Sequence, residues 1–116
     1  LGPLVRHGDN DWGDVVRWTL NALIAAEELG VTSANIEELS AAPTGSPEVN
    51  RLLGTEGELG AMLGLDADWA KNAIMAGGNY GELFDSNIGE STAIGLARGL
   101  NAQWTNGGLI YSPPFR

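Results

Sequence analysis

Residues 11–30 read DWGDVVRWTLNALIAAEELG, and their spacing decides the fold of this chain. The apolar side chains recur at three- and four-residue intervals, which places them on one side of an α-helix with polar side chains opposite. Just before this stretch, Asp9 and Asn10 offer a cap oxygen, and Asp11 adds the negative charge that favours a helix start. Gly30 can adopt the left-handed conformation that ends a helix. The pattern predicts a long helix over residues 11–29.

Shorter helices are predicted between residues 32 and 104, because start and stop residues recur along this region. Ser46 precedes Pro47, which suits the first position of a helix. Two segments have the capping-box spacing, in which two side chains satisfy each other's backbone N–H groups at a helix start. These pairs are Thr55 with Glu58, and Asn79 with Glu82. The predicted helical segments are TSANIEELSAA (32–42), SPEVNRLLG (46–54), TEGELGAMLG (55–64), DADWAKNAIMAGG (66–78) and NYGELFDSNIG (79–89).

The two ends of the chain are predicted to be extended. The N-terminal stub LGPLVR (1–6) has the character of a strand, and Pro113 and Pro114 bar both helix and central strand from the tail over residues 105–116. The region from Gly89 onward is too rich in glycine for a long helix, although residues 100–104 can form one turn. The sequence therefore predicts a mainly α chain of about six short helices, forming a single segment over residues 1–116.

Composition excludes several classes of partner. The chain has 116 residues with 15 acidic and 6 basic side chains, a formal net charge of −9, and no cysteine. This balance repels a phosphate backbone, so no nucleic-acid partner is expected. The apolar stretch over residues 18–26 is about half of the ~20 residues that a membrane-spanning helix needs. Without cysteine the chain has neither disulfides nor thiolate metal sites.

Two motifs suggest chemistry, and neither is complete. The acidic run DNDWGD (9–14) resembles the start of a calcium loop, but Leu20 stands where the loop needs a bidentate glutamate, so helix capping is the favoured interpretation. GESTA (89–93) resembles a nucleophile elbow built on Ser91. Its possible base, the single histidine His7, lies upstream, whereas this class of hydrolase places its histidine last. No catalytic residue, metal site or cofactor is therefore predicted.

Aromatic side chains leave two interpretations open. They can line a ligand pocket or form the core, and helical spacing favours the core. The set is Trp12, Trp18, Trp69, Trp104, Tyr80 and Phe84.

Longer stretches of the sequence resemble a known family. LGPLVRHGDNDWGDVVRWTLNAL (1–23) resembles the part of periplasmic amino-acid-binding proteins of ABC importers in which a strand ending in G-x-x-V-R-x-G precedes the last long helix. GNYGELFDSNIG (78–89) resembles the closing pattern of the same proteins. RLLGTEGELGAMLGLDADWA (51–70) and ARGLNAQWTNGGLIYSPPFR (97–116) are similar to one branch, the general L-amino-acid-binding proteins. The resemblance covers essentially the whole chain.

This resemblance implies that the chain is the C-terminal third of a two-lobe α/β protein of the type 2 periplasmic-binding fold, which encloses an amino acid when its lobes close. Residues 1–6 would be the strand that returns through the hinge. The residues that hold the amino acid would lie upstream, so no ligand-binding residue is assigned here, and Arg6 is not one. The implied partners are an L-amino acid, through the whole protein, and a membrane permease; the implied location is the periplasm, without enzymatic activity.

Two other hypotheses remain. The chain can be a free-standing helical module that self-associates through exposed apolar surface. More remotely, it can be an esterase that uses Ser91.

Overall fold

Helix α1, Asn10–Glu28, is the longest element of the structure and contacts three of the other helices. The computed structural model describes residues 2–41 and 43–115. Within these ranges there is no strand, and two isolated bridges join Gly89 to Leu96 and Gln103 to Ile110. The prediction of a mainly α chain is confirmed. The other helices are α2 (Ile36–Ala41), α3 (Pro47–Leu53), α4 (Leu59–Met62), α5 (Trp69–Gly77) and α6 (Tyr80–Asn87), followed by 3-10 turns at Gly99–Asn101 and Trp104–Asn106.

The core forms around the C-terminal half of α1. Ala22, Ala25 and Ala26 are buried there, and their small side chains let α3 and α5 pack closely against the helix. Apolar side chains from the other elements complete the cluster, so most of the buried area lies on one side of α1. These residues are Val31, Ile36, Val49, Leu52, Leu53, Ala70, Ile74 and Phe115.

Most of the predicted helix caps are present. The backbone N–H of Trp12 donates to Asp9 Oδ1 at 3.3 Å at the start of α1. Ser46 accepts from the backbone N–H of Val49 at the start of α3, and Gly54 ends that helix in the left-handed conformation with φ of +81°. The capping box that starts α6 is confirmed in full: Asn79 and Glu82 accept from each other's backbone N–H groups.

The predicted capping box at Thr55 and Glu58 is wrong. Thr55 follows directly on the end of α3, and its hydroxyl donates to the carbonyl of Asn50 at 3.1 Å. Because that hydroxyl completes the end of one helix, it does not cap the next, and α4 begins only at Leu59 with no side-chain cap.

Helices α2 and α5 begin later than predicted. Thr32 and Asn35 form a turn in which each side chain accepts from the other's backbone N–H, at 3.2 and 2.8 Å. Helix α2 therefore starts at Ile36, and α5 starts at Trp69 rather than Asp66.

Both ends of the chain differ in part from their predictions. Residues 2–6 are exposed and form no strand, because a strand needs a neighbouring strand for its hydrogen bonds and the described residues offer none. A strand at this position in a longer protein stays a prediction. The tail was predicted to be extended from residue 105, but Thr105 and Asn106 lie in a 3-10 turn that Gly107 ends with φ of +85°. Leu1 and Arg116 lie outside the described residues.

Candidate functional site

A partly exposed apolar surface runs along one side of α1. Trp12, Val15, Val16, Leu20 and Leu23 share one side of the helix, and Trp12 is 56% exposed. With Pro3 and Thr19 they line a concavity of about 290 Å³. A second concavity, of about 220 Å³, continues this surface onto α6. We call the combined surface the α1–α6 apolar face; its residues are Trp12, Val15, Val16, Leu20, Leu23, Leu83, Phe84 and Ile88.

Among residues 2–41 and 43–115, no charged side chain lines either concavity, although the chain carries a net charge of −9. A continuous apolar surface of this kind on an otherwise acidic molecule marks a place where another protein surface packs. The α1–α6 apolar face is therefore the principal candidate interface.

The C-terminal segment over residues 96–115, here called the strap, is held at the opposite end of α1. The guanidinium of Arg98 donates to both carboxylate oxygens of Glu27, at 2.8 and 2.7 Å. It also donates to the carbonyl of Asn101 and lies 5.6 and 5.4 Å from the ring centres of Tyr80 and Phe84. The hydrogen bonds from Arg98 to Glu27 raise the pKa of the guanidinium, so Arg98 stays charged.

Gly81 makes room for this ion pair. Gly81 is buried in α6, and a Cβ at this position would overlap the Oε2 atom of Glu27 and lie 2.9 Å from Nη1 of Arg98. Any side chain here would push the two charged groups apart. Glycine at this position is explained by that close approach.

A second contact holds the strap nearer its end. The backbone N–H of Ser112 donates to Glu28 Oε1 at 3.0 Å. Beyond it, Phe115 is buried between two tryptophans: its ring meets Trp18 edge-on at 5.5 Å and stacks on Trp69 at 6.2 Å. The tail thus contributes an aromatic side chain to the core.

Glu27 and Glu28 are in an unfavourable place for carboxylates. The C-terminus of a helix carries a partial negative charge, and a carboxylate there costs about 0.3–1 kcal/mol. The last turn of α1 has no basic residue to offset this. Such a local conflict indicates that the two side chains serve contacts elsewhere, which here are the two attachments of the strap.

The strap also forms one wall of a groove of about 260 Å³ beside α1 and α3. Trp104 and Tyr111 supply aromatic surface to this groove, while Glu28, Glu48 and Arg51 supply charge. The groove exists only while the strap lies against the helices.

Glu82 joins α6 to the loop before α2. Its carboxylate accepts from the backbone N–H and the hydroxyl of Ser33, and from the backbone N–H of Asn79. Partial burial raises the pKa of Glu82, but the hydrogen bonds from Ser33 and Asn79 outweigh this effect and leave the pKa below its ordinary value. Asn79 adds a bond from its amide to the carbonyl of Val31 at 2.9 Å. This network positions α6, and with it one side of the apolar face.

The motifs considered for catalysis are not brought together. Ser91, His7 and Arg6 are all exposed, and neither Ser91 nor His7 has a side-chain hydrogen bond within the described part of the chain. In the same turn, the hydroxyl of the neighbouring Thr92 donates to the carbonyl of Gly89 at 2.7 Å. No group of three metal-ligating side chains occurs in residues 2–41 and 43–115. No helix there is both long and apolar enough to span a bilayer.

Some of the aromatic side chains lie in the core, as their helical spacing predicts, and others are exposed. Trp18, Trp69 and Phe84 are buried or half-buried, as expected for the core. For Trp12 and Trp104, both 56% exposed, the core interpretation is wrong. No motif in the sequence reveals the roles of Glu27, Arg98 and Phe115; the carboxylates at the end of a predicted helix were the available signal.

The fold as a whole is that of part of a periplasmic binding protein. A solved structure from Brucella ovis, described as an ABC transporter periplasmic binding protein with glutathione bound, has a TM-score of 0.89 and 53% identity. The match covers 97% of this chain and 35% of that one. No family model matches the chain.

The curated relatives that match this chain are named as amino-acid-binding proteins. The glutamate/glutamine/aspartate/asparagine-binding protein BztA of Rhodobacter capsulatus is 68% identical over 116 residues. The general L-amino acid-binding periplasmic protein AapJ of Rhizobium johnstonii is 51% identical over 118 residues. Both matches include all of this chain and 34% of the relative, so the chain spans about a third of their length. The predicted resemblance to the C-terminal part of general L-amino-acid-binding proteins is confirmed.

Proposed function

We propose that this chain is part of a periplasmic solute-binding protein that captures L-amino acids and delivers them to an ABC importer. The observation that carries the proposal is the match with a periplasmic binding protein along 97% of the chain at a TM-score of 0.89. The names of BztA and AapJ, which match all of the chain, support amino acids as the ligand. The proposed partners are an L-amino acid and a membrane permease.

Within such a protein, this segment is the helical cover of one lobe. The α1–α6 apolar face suits that role, because a sheet from the remaining two-thirds of the protein would bury it. The amino acid would be held mainly by residues outside this segment, between two lobes that close around it. The proposed role is one of binding and transport rather than catalysis, which the names of BztA and AapJ support.

Calorimetric titration tests whether the amino acid is bound mainly by residues outside this segment. The 116-residue chain and a longer protein that contains it are titrated with glutamate, glutamine, aspartate, asparagine, other L-amino acids and glutathione. We expect micromolar or tighter binding of at least one L-amino acid by the longer protein, and none by the chain alone. Micromolar binding by the chain alone would overturn the assignment of the ligand site to other residues. A longer protein that binds no amino acid would overturn the proposed function.

A matched pair of substitutions tests the role of the apolar face. Val16→Glu in the longer protein places a carboxylate on the face, whereas Arg17→Glu places a carboxylate on the exposed side of α1 and changes the net charge by twice as much. We expect Val16→Glu to lower the melting temperature strongly and Arg17→Glu to change it little. Equal effects would show that nothing packs on the face.

Self-association remains the alternative use of this face. Light scattering of the 116-residue chain separates the two possibilities. If the chain forms a dimer that Val16→Glu dissociates, the self-associating helical module would be favoured over a segment that covers one lobe.

A further inference from the structure

We propose that Glu27 and Glu28 form a clasp that holds the strap on the helices, and that the strap opens as one unit when the clasp is released. The two carboxylates are adjacent in sequence, yet they hold two separate points of the strap: Arg98 near its start and Ser112 near its end.

The strap is organised by its own hydrogen bonds. The backbone N–H of Leu109 donates to the carbonyl of Leu100 at 2.8 Å, and that of Trp104 donates to the carbonyl of Ile110 at 2.9 Å. Among the described residues, its one backbone-to-backbone bond to the rest of the chain lies at its start, where Leu96 donates to Ile88 at 2.9 Å. A segment bonded mainly to itself keeps its internal structure when it moves away from its neighbours.

Apolar burial contributes little along most of the strap. Leu100, Trp104, Leu109 and Tyr111 are all more than half exposed, and Leu109 reaches 72%. The exception is Phe115, which is 7% exposed. The ion pair, the bond to Ser112 and the burial of Phe115 therefore carry the attachment.

The geometry of a helix explains why neighbouring residues can hold both points. Successive residues project about 100° apart around a helix axis, so the two carboxylates point to different sides of α1. Glu27 lies against Gly81 of α6, and Glu28 lines the groove beside α3. The strap consequently crosses the end of α1 with one attachment on each side.

Hydrogen–deuterium exchange of the 116-residue chain tests the clasp. We expect Glu27→Gln to make the amide of Ser112, which donates to Glu28, exchange about tenfold faster, because neutral hydrogen bonds replace charge-assisted ones at Arg98. The amides of Trp104 and Leu109, which are bonded within the strap, should keep their rates if it opens as one unit. The amides of α3 and α5 should exchange at their original rates. The matched control is Glu56→Gln, which removes one charge from an exposed glutamate that has no side-chain hydrogen bond in the described part of the chain.

Variants at the second attachment provide an independent test. Glu28→Gln keeps a neutral oxygen that can accept from Ser112, whereas Glu28→Ala does not, so Glu28→Ala should speed exchange at Ser112 more than Glu28→Gln does. Arg98→Lys, which loses the bidentate hydrogen bonds to Glu27, should behave like Glu27→Gln. Circular dichroism checks that each variant keeps its helix content. Faster exchange spread evenly over all helices, or no change at Ser112, would overturn the clasp.

Discussion

The two halves of α1 are stabilised in opposite ways. The N-terminal half, residues 10–20, begins with a side-chain cap from Asp9 and an acidic first turn, as the helix dipole favours. Its apolar side chains are nevertheless only partly buried: Trp12 is exposed, Val15, Val16 and Leu20 are half-buried, and Phe115 covers part of Trp18. The C-terminal half, residues 21–28, ends on two carboxylates that the dipole disfavours, yet it is buried and its charges are held by the strap.

The two halves therefore differ in whether they are stabilised by local interactions or by tertiary contacts. The N-terminal half is complete as a helix but lacks a partner for its apolar side. The C-terminal half conflicts with local preference and is completed by residues 71 and 84 positions away in sequence. A helix segment with favourable local interactions but few tertiary contacts is a candidate interface. A segment with unfavourable local interactions but many tertiary contacts contributes mainly to the stability of the fold.

The largest predicted effect compares the two halves directly. Ile24→Ala should lower the free energy of unfolding by about 2–5 kcal/mol, because Ile24 is buried and the substitution leaves a cavity. Leu20→Ala, on the half-exposed face, should cost about 1 kcal/mol or less. Urea unfolding of the 116-residue chain measures both. Equal losses would mean that the face is already covered within the chain.

The next prediction concerns the contact between α6 and the end of α1. Gly81→Ala should cost about 1–3 kcal/mol, because the added methyl group overlaps the Glu27 carboxylate. The matched control is Gly77→Ala in α5, where the added Cβ would lie 3.5 Å from Leu83, an ordinary contact. That change should be neutral or stabilising by up to about 1 kcal/mol. Thermal unfolding distinguishes the pair, and a harmless Gly81→Ala would contradict the tight packing.

A smaller effect is expected where the tail reaches the N-terminal half. Phe115→Leu keeps an apolar side chain but removes both ring contacts, so it should cost about 1 kcal/mol. Tryptophan fluorescence should shift to longer wavelength as Trp18 and Trp69 gain solvent. An unchanged spectrum would indicate that the tail does not cover these rings in solution.

The smallest effect is a dependence on pH at α6. The pKa of Glu82 is lower in the folded chain than its ordinary value of 4.5, so its contribution to stability is complete above that pH and is lost as the pH falls through the folded pKa. Glu82→Gln should flatten this part of the stability profile, by less than about 0.5 kcal/mol. Denaturation between pH 3 and 7 checks it, and parallel profiles would refute the role.

Local patterns predicted what local forces decide. The periodicity of α1 and the caps at Ser46 and Asn79 were confirmed, because each depends on residues within one or two turns. Thr55 shows the limit of prediction from local patterns. Its spacing to Glu58 fitted a capping box, but its hydroxyl donates to a carbonyl at the end of α3 instead. The pairing of Glu27 with Arg98 bridges 71 positions, which no local pattern records. The family was predicted from resemblance, not from periodicity.

The space at Gly81 has an evolutionary consequence. Because the missing methyl group is what admits the Glu27–Arg98 pair, positions 27, 81 and 98 form an epistatic set. While the ion pair is present, a side chain at position 81 requires the Glu27 and Arg98 side chains to shift; once the pair is lost, this restriction no longer applies. Substitutions at these three positions are therefore expected to be tolerated together where each alone is harmful.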